Sequence, residues 1–327
     1  MNIALPLPRI ENTLHLNVQE ERASLLKGLM QPAARIDSKY FYDAVGCELF
    51  TRICKLDEYY PTRTEAAIFR DHAEEIAAAL PPGAQWIDLG CGDCAKSERW
   101  LDQISPARLV GVDIAGDFLQ TSLTSVAACH PGLECVGVVS DFTRTLNLEH
   151  LLEEKPNAAP VFFYPGSSIG NFARADALRL LRNIRRHCGD KGRLLICVDL
   201  VKPAQILEAA YDDALGVTAA FNLNVLEVVN REIAADFATN NFSHRAIFDS
   251  DRSRIEMHLV AKRDHKVNLG EGNSRCFSAG EQVLTEYSHK YTTAAFGEML
   301  AEAGFGRHQL WTDPRQWFGV FLAEPTS

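Results

Sequence analysis

Trp86-Ile87-Asp88-Leu89-Gly90-Cys91-Gly92-Asp93-Cys94-Ala95 is an apolar run that ends in two glycines just where a helix can begin. A second apolar run, Leu109-Val110-Gly111-Val112, delivers Asp113, about 20 residues beyond the glycine loop, the spacing with which an open α/β sheet holds an adenosine. The glycines let the backbone approach the ligand, and the acid at the tip of the next strand accepts from ribose hydroxyls. Gly90, Gly92 and Ala95 fit the dinucleotide pattern G-x-G-x-x-G/A, and they fit the S-adenosylmethionine (SAM) loop E/D-x-G-x-G equally well. The loop alone indicates a nucleoside cofactor and leaves NAD and SAM both open.

Outward from this loop, apolar runs alternate with helix-like segments. The runs are Trp86–Leu89, Leu109–Ile114, Leu133–Val139, Val161–Tyr164 and Leu194–Leu200. Strands buried on both faces read as continuous apolar runs, so the alternation predicts a parallel sheet with crossover helices. After Asp199 the rhythm breaks. Residues 203–245 read as helical in part, Arg254–Lys262 and Cys276–Tyr287 as β-like, and Gly270-Glu271-Gly272-Asn273 as a turn. A helix over Thr293–Ala303 and two strands, His308–Thr312 and Phe318–Ala323, then close the chain around the turn Asp313-Pro314-Arg315-Gln316. A helix followed by an antiparallel hairpin finishes a SAM-type sheet, whereas a hydride-transfer sheet more often ends in a sixth parallel strand. The expected fold is therefore α/β: a Rossmann-like methyltransferase sheet, parallel with a C-terminal antiparallel hairpin, plus a second α+β substrate-binding domain. Residues 64–200 and 290–327 would form the first, residues 1–63 and 201–289 the second, with the substrate pocket between them.

Composition narrows the partners. At 327 residues, with 46% hydrophobic and 23% charged residues, the chain can bury a large core without staples. A net charge of −10 argues against a nucleic-acid footprint, and the basic cluster Arg182 to Arg186 reads as the solvated side of a helix. No apolar run approaches the roughly 20 residues of a membrane span. Met1 to Glu11 has Arg9 as its one basic side chain and no long apolar core, which speaks against a secretory signal. Nine cysteines make an odd count. Cys91 and Cys94 form a C-x-x-C with no second pair at zinc-ribbon spacing, so no metal is expected, and a reduced cytoplasmic monomer is the simplest reading.

Three further stretches carry candidate chemistry. Ser140-Asp141-Phe142 follows the third apolar run and could offer an acid to an adenine amine and a ring to its face; alone it could equally be a turn. Gly166-Ser167-Ser168-Ile169-Gly170-Asn171 follows the fourth run, where ligands bind in open α/β folds, although Asn171 could be a helix cap. Glu286 and Ser288 lie two apart on a predicted strand and so share a face; an acid beside a hydroxyl suits a cationic or N–H-bearing group.

Together these pieces resemble the SAM-dependent L-histidine Nα-methyltransferases of ergothioneine biosynthesis, over nearly the whole chain from about Lys39 to Ala323. The distinctive blocks are Tyr40-Phe41-Tyr42-Asp43-Ala44-Val45-Gly46, Glu58-Tyr59-Tyr60-Pro61-Thr62-Arg63-Thr64-Glu65, Gly166–Asn171, Tyr211-Asp212-Asp213, the run from Gly216 to Asn222, Asn230-Arg231-Glu232, Ile255-Glu256-Met257 and Leu284-Thr285-Glu286. The resemblance implies that Asn171 and Tyr211 hold the carboxylate of histidine and that Tyr42, Glu286 and Ser288 grip its imidazole. It implies Met257 in the pocket wall, with Phe50, Gly166 and Ser168 in the same substrate group, and Tyr59 near both the cofactor and the amine. The SAM contacts map onto Gly90, Gly92, Lys96, Asp113, Asp141 and Phe142. Two departures stand out. The cofactor loop reads Gly90-Cys91-Gly92-Asp93-Cys94 where G-S-G-T-S is common, and Tyr164-Pro165 precedes Gly166 where a single apolar residue is usual.

The implied reaction is trimethylation of the α-amine of L-histidine to hercynine, with Tyr59 and a water as candidates to relay the amine's proton. The alternatives are the same chemistry on another amino acid or a histidine derivative, an NAD-type oxidoreductase, and a SAM-binding sensor.

Overall fold

Alternate residues of the strand Gln85–Leu89 face opposite layers, and both layers are covered, which is why the whole run is buried. Trp86 packs on one side with Leu109, Val161 and Phe163; Ile87 packs on the other with Val110 and Phe162. In this computed structural model, which describes residues 7–14 and 18–326, the same logic organises a sheet of eight strands among the described residues. Residues 1–6 of the stretch read for a secretory signal lie outside them.

Across the sheet the order is Arg9–Asn12, Glu134–Val139, Arg108–Asp113, Gln85–Leu89, Pro160–Tyr164, Arg193–Asp199, Phe318–Pro325 and Phe305–Thr312. The first six run parallel, and Phe318–Pro325 pairs antiparallel with both Arg193–Asp199 and Phe305–Thr312, so the expected hairpin is present. Successive crossovers leave Gln85–Leu89 in opposite directions, toward Arg108–Asp113 on one side and Pro160–Tyr164 on the other. The crevice at the carboxyl ends of these strands is where such sheets receive ligands. Helices cover both faces. Arg174–Cys188 buries Leu178, Leu181 and Ile184 and leaves Arg182 and Arg186 in solvent, as read, while Arg185 turns to the carbonyls of Gly189 and Gly304.

The edge strand Arg9–Asn12 moves one segment across the division expected at residue 63. It pairs in parallel with Glu134–Val139, and Gly137 makes room for Ile10: a Cβ there would stand 2.6 Å from Ile10 Cδ1. Four short polar-edged residues carry no periodicity, so their pairing is decided by this fit.

A second sheet has the order Ala34–Arg35, Gln282–His289, Arg254–Ala261 and Phe242–Asp249. The helices Ala44–Ile53, Ala204–Tyr211 and Val217–Ile233 and the 3-10 turn Ser38–Phe41 accompany it, and Phe41 stacks on Phe221 at 4.6 Å between ring centroids. Two expectations are refined here. The stretch 203–245 ends in a strand that begins at Phe242, and Cys276–Tyr287 splits into Ser274–Phe277 and Gln282–His289. The glycine turn does close a hairpin, His265–Asn268 with Ser274–Phe277, with Gly270 at φ +76° and Gly272 at φ +78°. No helix among the described residues is long and apolar enough to cross a membrane.

Candidate active site

At the carboxyl end of Gln85–Leu89 the chain turns through Gly90 and Gly92, both at positive φ, into the helix Ala95–Ile104. A Cβ on Gly90 would touch the Phe142 ring at 3.8 Å, so the glycine leaves a slot beside that ring. The Gly92 N–H donates to Asp113 Oδ2 at 3.0 Å and the Ala115 N–H to its Oδ1 at 3.0 Å, which locks the acid at its strand tip. Asp141 Oδ1 accepts from the Thr143 hydroxyl at 2.5 Å, and Phe142 meets Tyr164 edge-on at 5.8 Å. Beneath the loop, Asp88 is buried: Oδ2 accepts from Ser97 at 2.6 Å, while Oδ1 has no protein partner. Desolvation pushes Asp88 up to about 7. A glycine slot beside a ring, a strand-tip acid and a buried orphan oxygen under the loop fit a nucleoside cofactor with a polar tail.

A second group of residues lines a cavity of about 640 Å³, its open mouth included. Tyr42, Phe50, Gly166, Ser168, Asn171 and Tyr211 are in its wall, and so are Met257, Glu286, Ser288 and Tyr59. The residues grouped on the sequence for the substrate thus meet in one place, although they come from six separate segments. Tyr164-Pro165 leaves Asn171 in that wall. The six residues grouped for the cofactor sit outside it, over the strand ends.

Local structure explains the placement. Asp43 accepts from the Gly46 N–H at 2.8 Å and from Asn224 at 2.8 Å and pairs with Arg231, which pins the segment carrying Tyr42 and Phe50 to the long helix Val217–Ile233. A Cβ on Gly170 would stand 2.8 Å from the His289 carbonyl, so only glycine lets the loop 166–171 lie against the strand Gln282–His289. Glu286 and Ser288 are two apart on that strand and address the cavity together.

The electrostatics of the wall are set by groups the sequence reading did not single out. Glu65 joins the two halves of the site: Oε2 takes Lys96 Nζ at 2.6 Å and Oε1 takes the Gly166 N–H at 2.5 Å. Asp199, ending its sheet strand, meets Lys290 Nζ at 2.8 Å, Lys202 Nζ at 2.5 Å and the Tyr60 hydroxyl at 2.6 Å. Burial works against charge in the Asp199 carboxylate, yet Lys290 and Lys202 outweigh it and hold the group below its ordinary value. Burial likewise opposes the Lys290 ammonium, and Asp199 holds it above its ordinary value. Burial takes Lys202 down to about 8 against the pull of Asp199. Desolvation pushes Glu286 up to about 7, with Lys290 opposing. The Tyr59 phenol is raised by burial and then by Tyr211, so it stays protonated. The one available signal for Lys290 was that it continues the alternation of 286 and 288 one residue past the end of their strand; Glu65 carried only its place in the Glu58–Glu65 block.

Comparisons with known proteins bear on this arrangement. The family model for histidine-specific, SAM-dependent methyltransferases matches residues 21–325. The chain is 40% identical over 308 residues to a histidine N-alpha-methyltransferase of Mycolicibacterium smegmatis, covering 92% of this chain and 94% of that one. It is also 40% identical over 310 residues to the protein of that name in Mycobacterium tuberculosis, with the same coverages. Ergothioneine biosynthesis protein 1 of Neurospora crassa is 28% identical over 307 residues, which is 91% of this chain but 34% of that longer protein. The chain belongs to the SAM-dependent, histidine-specific methyltransferases.

Proposed function

We propose that the protein methylates the α-amine of L-histidine, in successive rounds up to hercynine, with the imidazole at Glu286 and Ser288 and the carboxylate at Asn171 and Tyr211. The observation that carries this reading is the meeting of acceptor and donor side chains in the wall of one cavity. Glu286 and Ser288 offer acceptors from one strand face, while Asn171 and Tyr211 offer donors from the sheet loop and from the helix Ala204–Tyr211. An amino acid with an N–H-bearing ring matches both ends.

Bound SAM supplies an electrophilic methyl group on a sulfonium. The protein's task is to align a lone pair with that methyl. Gly166 sits where the two halves meet, its amide held by Glu65 and Lys96 Nζ 3.1 Å from where its Cβ would be. An ammonium has no lone pair, so the amine must arrive neutral; a partly apolar site facing a positive sulfonium disfavours the ammonium. Tyr59 keeps its own proton and can take part only by accepting from the amine or passing a proton through water. As methyl groups accumulate the head becomes a fixed cation. Tyr42, Phe50, Tyr59 and Tyr211 form a chain of rings with centroids 5.9 to 6.2 Å apart, which favours such a head through cation–π contact.

The test is isothermal titration with L-histidine, with and without S-adenosylhomocysteine. Saturable binding of histidine that Glu286→Ala removes is the expected result. Histidine that fails to bind in either state would overturn the substrate assignment.

A further inference from the structure

Lys290 is fully buried, does not line the cavity, and has no part in the reading above. An ammonium has three N–H donors and no acceptor. Here each proton has its partner: Asp199 Oδ2 at 2.8 Å, Ser288 Oγ at 2.8 Å and the Tyr211 hydroxyl oxygen at 3.0 Å. Both cavity hydroxyls therefore accept from the same cation. They also lie 2.7 Å from one another, so one of their two protons is spent between them. One hydroxyl proton is left for the cavity.

A carboxylate can only accept, so if Tyr211 holds it, the remaining proton is the tyrosine's. We propose that Lys290 is a positioning residue that occupies one lone pair on each hydroxyl and so turns the remaining proton of the pair into the cavity. With the substrate carboxylate at Tyr211, Ser288 then donates to Tyr211, Tyr211 donates to the carboxylate, and the Ser288 oxygen remains an acceptor for an imidazole N–H. Every proton then has one acceptor. Without Lys290 the two hydroxyls still bond each other, but the outer proton can turn back to the vacated side of the wall, and the donor toward the carboxylate is no longer held in place. Asp199 keeps Lys202 and Tyr60 as partners when Lys290 is removed, so the buried carboxylate stays compensated. The inference rests on the substrate reading above, with Tyr211 at the carboxylate.

The experiment compares L-histidine with histamine, which has the same ring and amine but no carboxylate. Dissociation constants for both are measured in the presence of S-adenosylhomocysteine, for the wild type and for Lys290→Met. The wild type should prefer histidine. In Lys290→Met that preference should fall by about tenfold or more, because the Tyr211 proton is no longer held toward the carboxylate, while S-adenosylhomocysteine affinity stays within about threefold. A purely structural role would weaken both ligands alike, and an unchanged preference overturns the proposal. If Lys290→Met does not bind S-adenosylhomocysteine, Lys290→Gln decides. Its amide still donates two protons, so the preference should survive, and its collapse contradicts donation as the cause. A wild type that binds neither ligand sinks the substrate reading itself, and that failure shows before any substitution is made.

Discussion

Glu65 bridges the two halves of the site, with Oε1 2.5 Å from the Gly166 amide nitrogen and Oε2 2.6 Å from Lys96 Nζ. Its side chain is buried, and it comes from the helix Tyr60–Asp71, which belongs to neither the glycine loop nor the substrate strand. The methyl donor and the acceptor amine must be held in register across this joint, and misplacement by about 1 Å can cost on the order of a hundredfold in rate.

Glu65→Ala should therefore weaken both substrates, raising the KM for SAM and for histidine and lowering kcat/KM for each by at least about tenfold. Steady-state kinetics with each substrate varied in turn check this. A change confined to one of the two would show that Glu65 serves one half only.

Glu286→Ala should behave differently. Glu286 lines the cavity and the glycine loop does not, so histidine turnover should fall by about a hundredfold or more while S-adenosylhomocysteine binding is nearly unchanged. Titration of both ligands against the variant separates the two effects, and equal losses would remove the role assigned to Glu286.

The acidity of Glu286 has a cost in stability. Its folded-state value is raised from 4.5 to about 7, so the favourable contribution is complete below pH 4.5 and is lost as pH rises through about 7. Glu286→Gln, neutral throughout, should exceed the wild type at pH 8 by on the order of 2–3 kcal/mol, and the advantage should vanish near pH 4.5. Thermal unfolding across this range reads the effect. The same variant should keep only the pH dependence that the imidazole of histidine itself brings, with the contribution of Glu286 near 7 removed.

How much of this was legible before the fold was known follows from what each residue does. Trp86–Leu89, Val161–Tyr164 and Leu194–Leu200 announce themselves because burial on both faces keeps them apolar except for Asp88 and Asp199 near the strand ends. Arg9–Asn12 and Phe242–Asp249 mix polar and apolar residues at a sheet edge, and their pairing depends on partners such as Gly137 that only the fold brings near. The cavity residues could be gathered because the blocks that carry them resemble a family. The charges behind the wall could not. Asp199, Lys202 and Lys290 are each residue types seldom buried, and each is tolerable only because the others are there.

Gly170 offers a test of how the substrate strand is seated. A Cβ at that position meets the His289 carbonyl at 2.8 Å and its nitrogen at 3.3 Å, so Gly170→Ala must push the strand and the loop apart. We expect a loss of about 1–3 kcal/mol in urea unfolding and weaker histidine binding, because Asn171 and Ser288 would separate. A variant with wild-type stability and affinity would mean that the loop relaxes without moving the wall.

The central claim is tested most directly by incubating the purified protein with SAM and L-histidine and following the amino acid by mass spectrometry. The account predicts histidine carrying one, then two, then three added methyl groups, all on the α-nitrogen, with the trimethylated product accumulating. Histidine that gains no mass while S-adenosylhomocysteine still binds would contradict it.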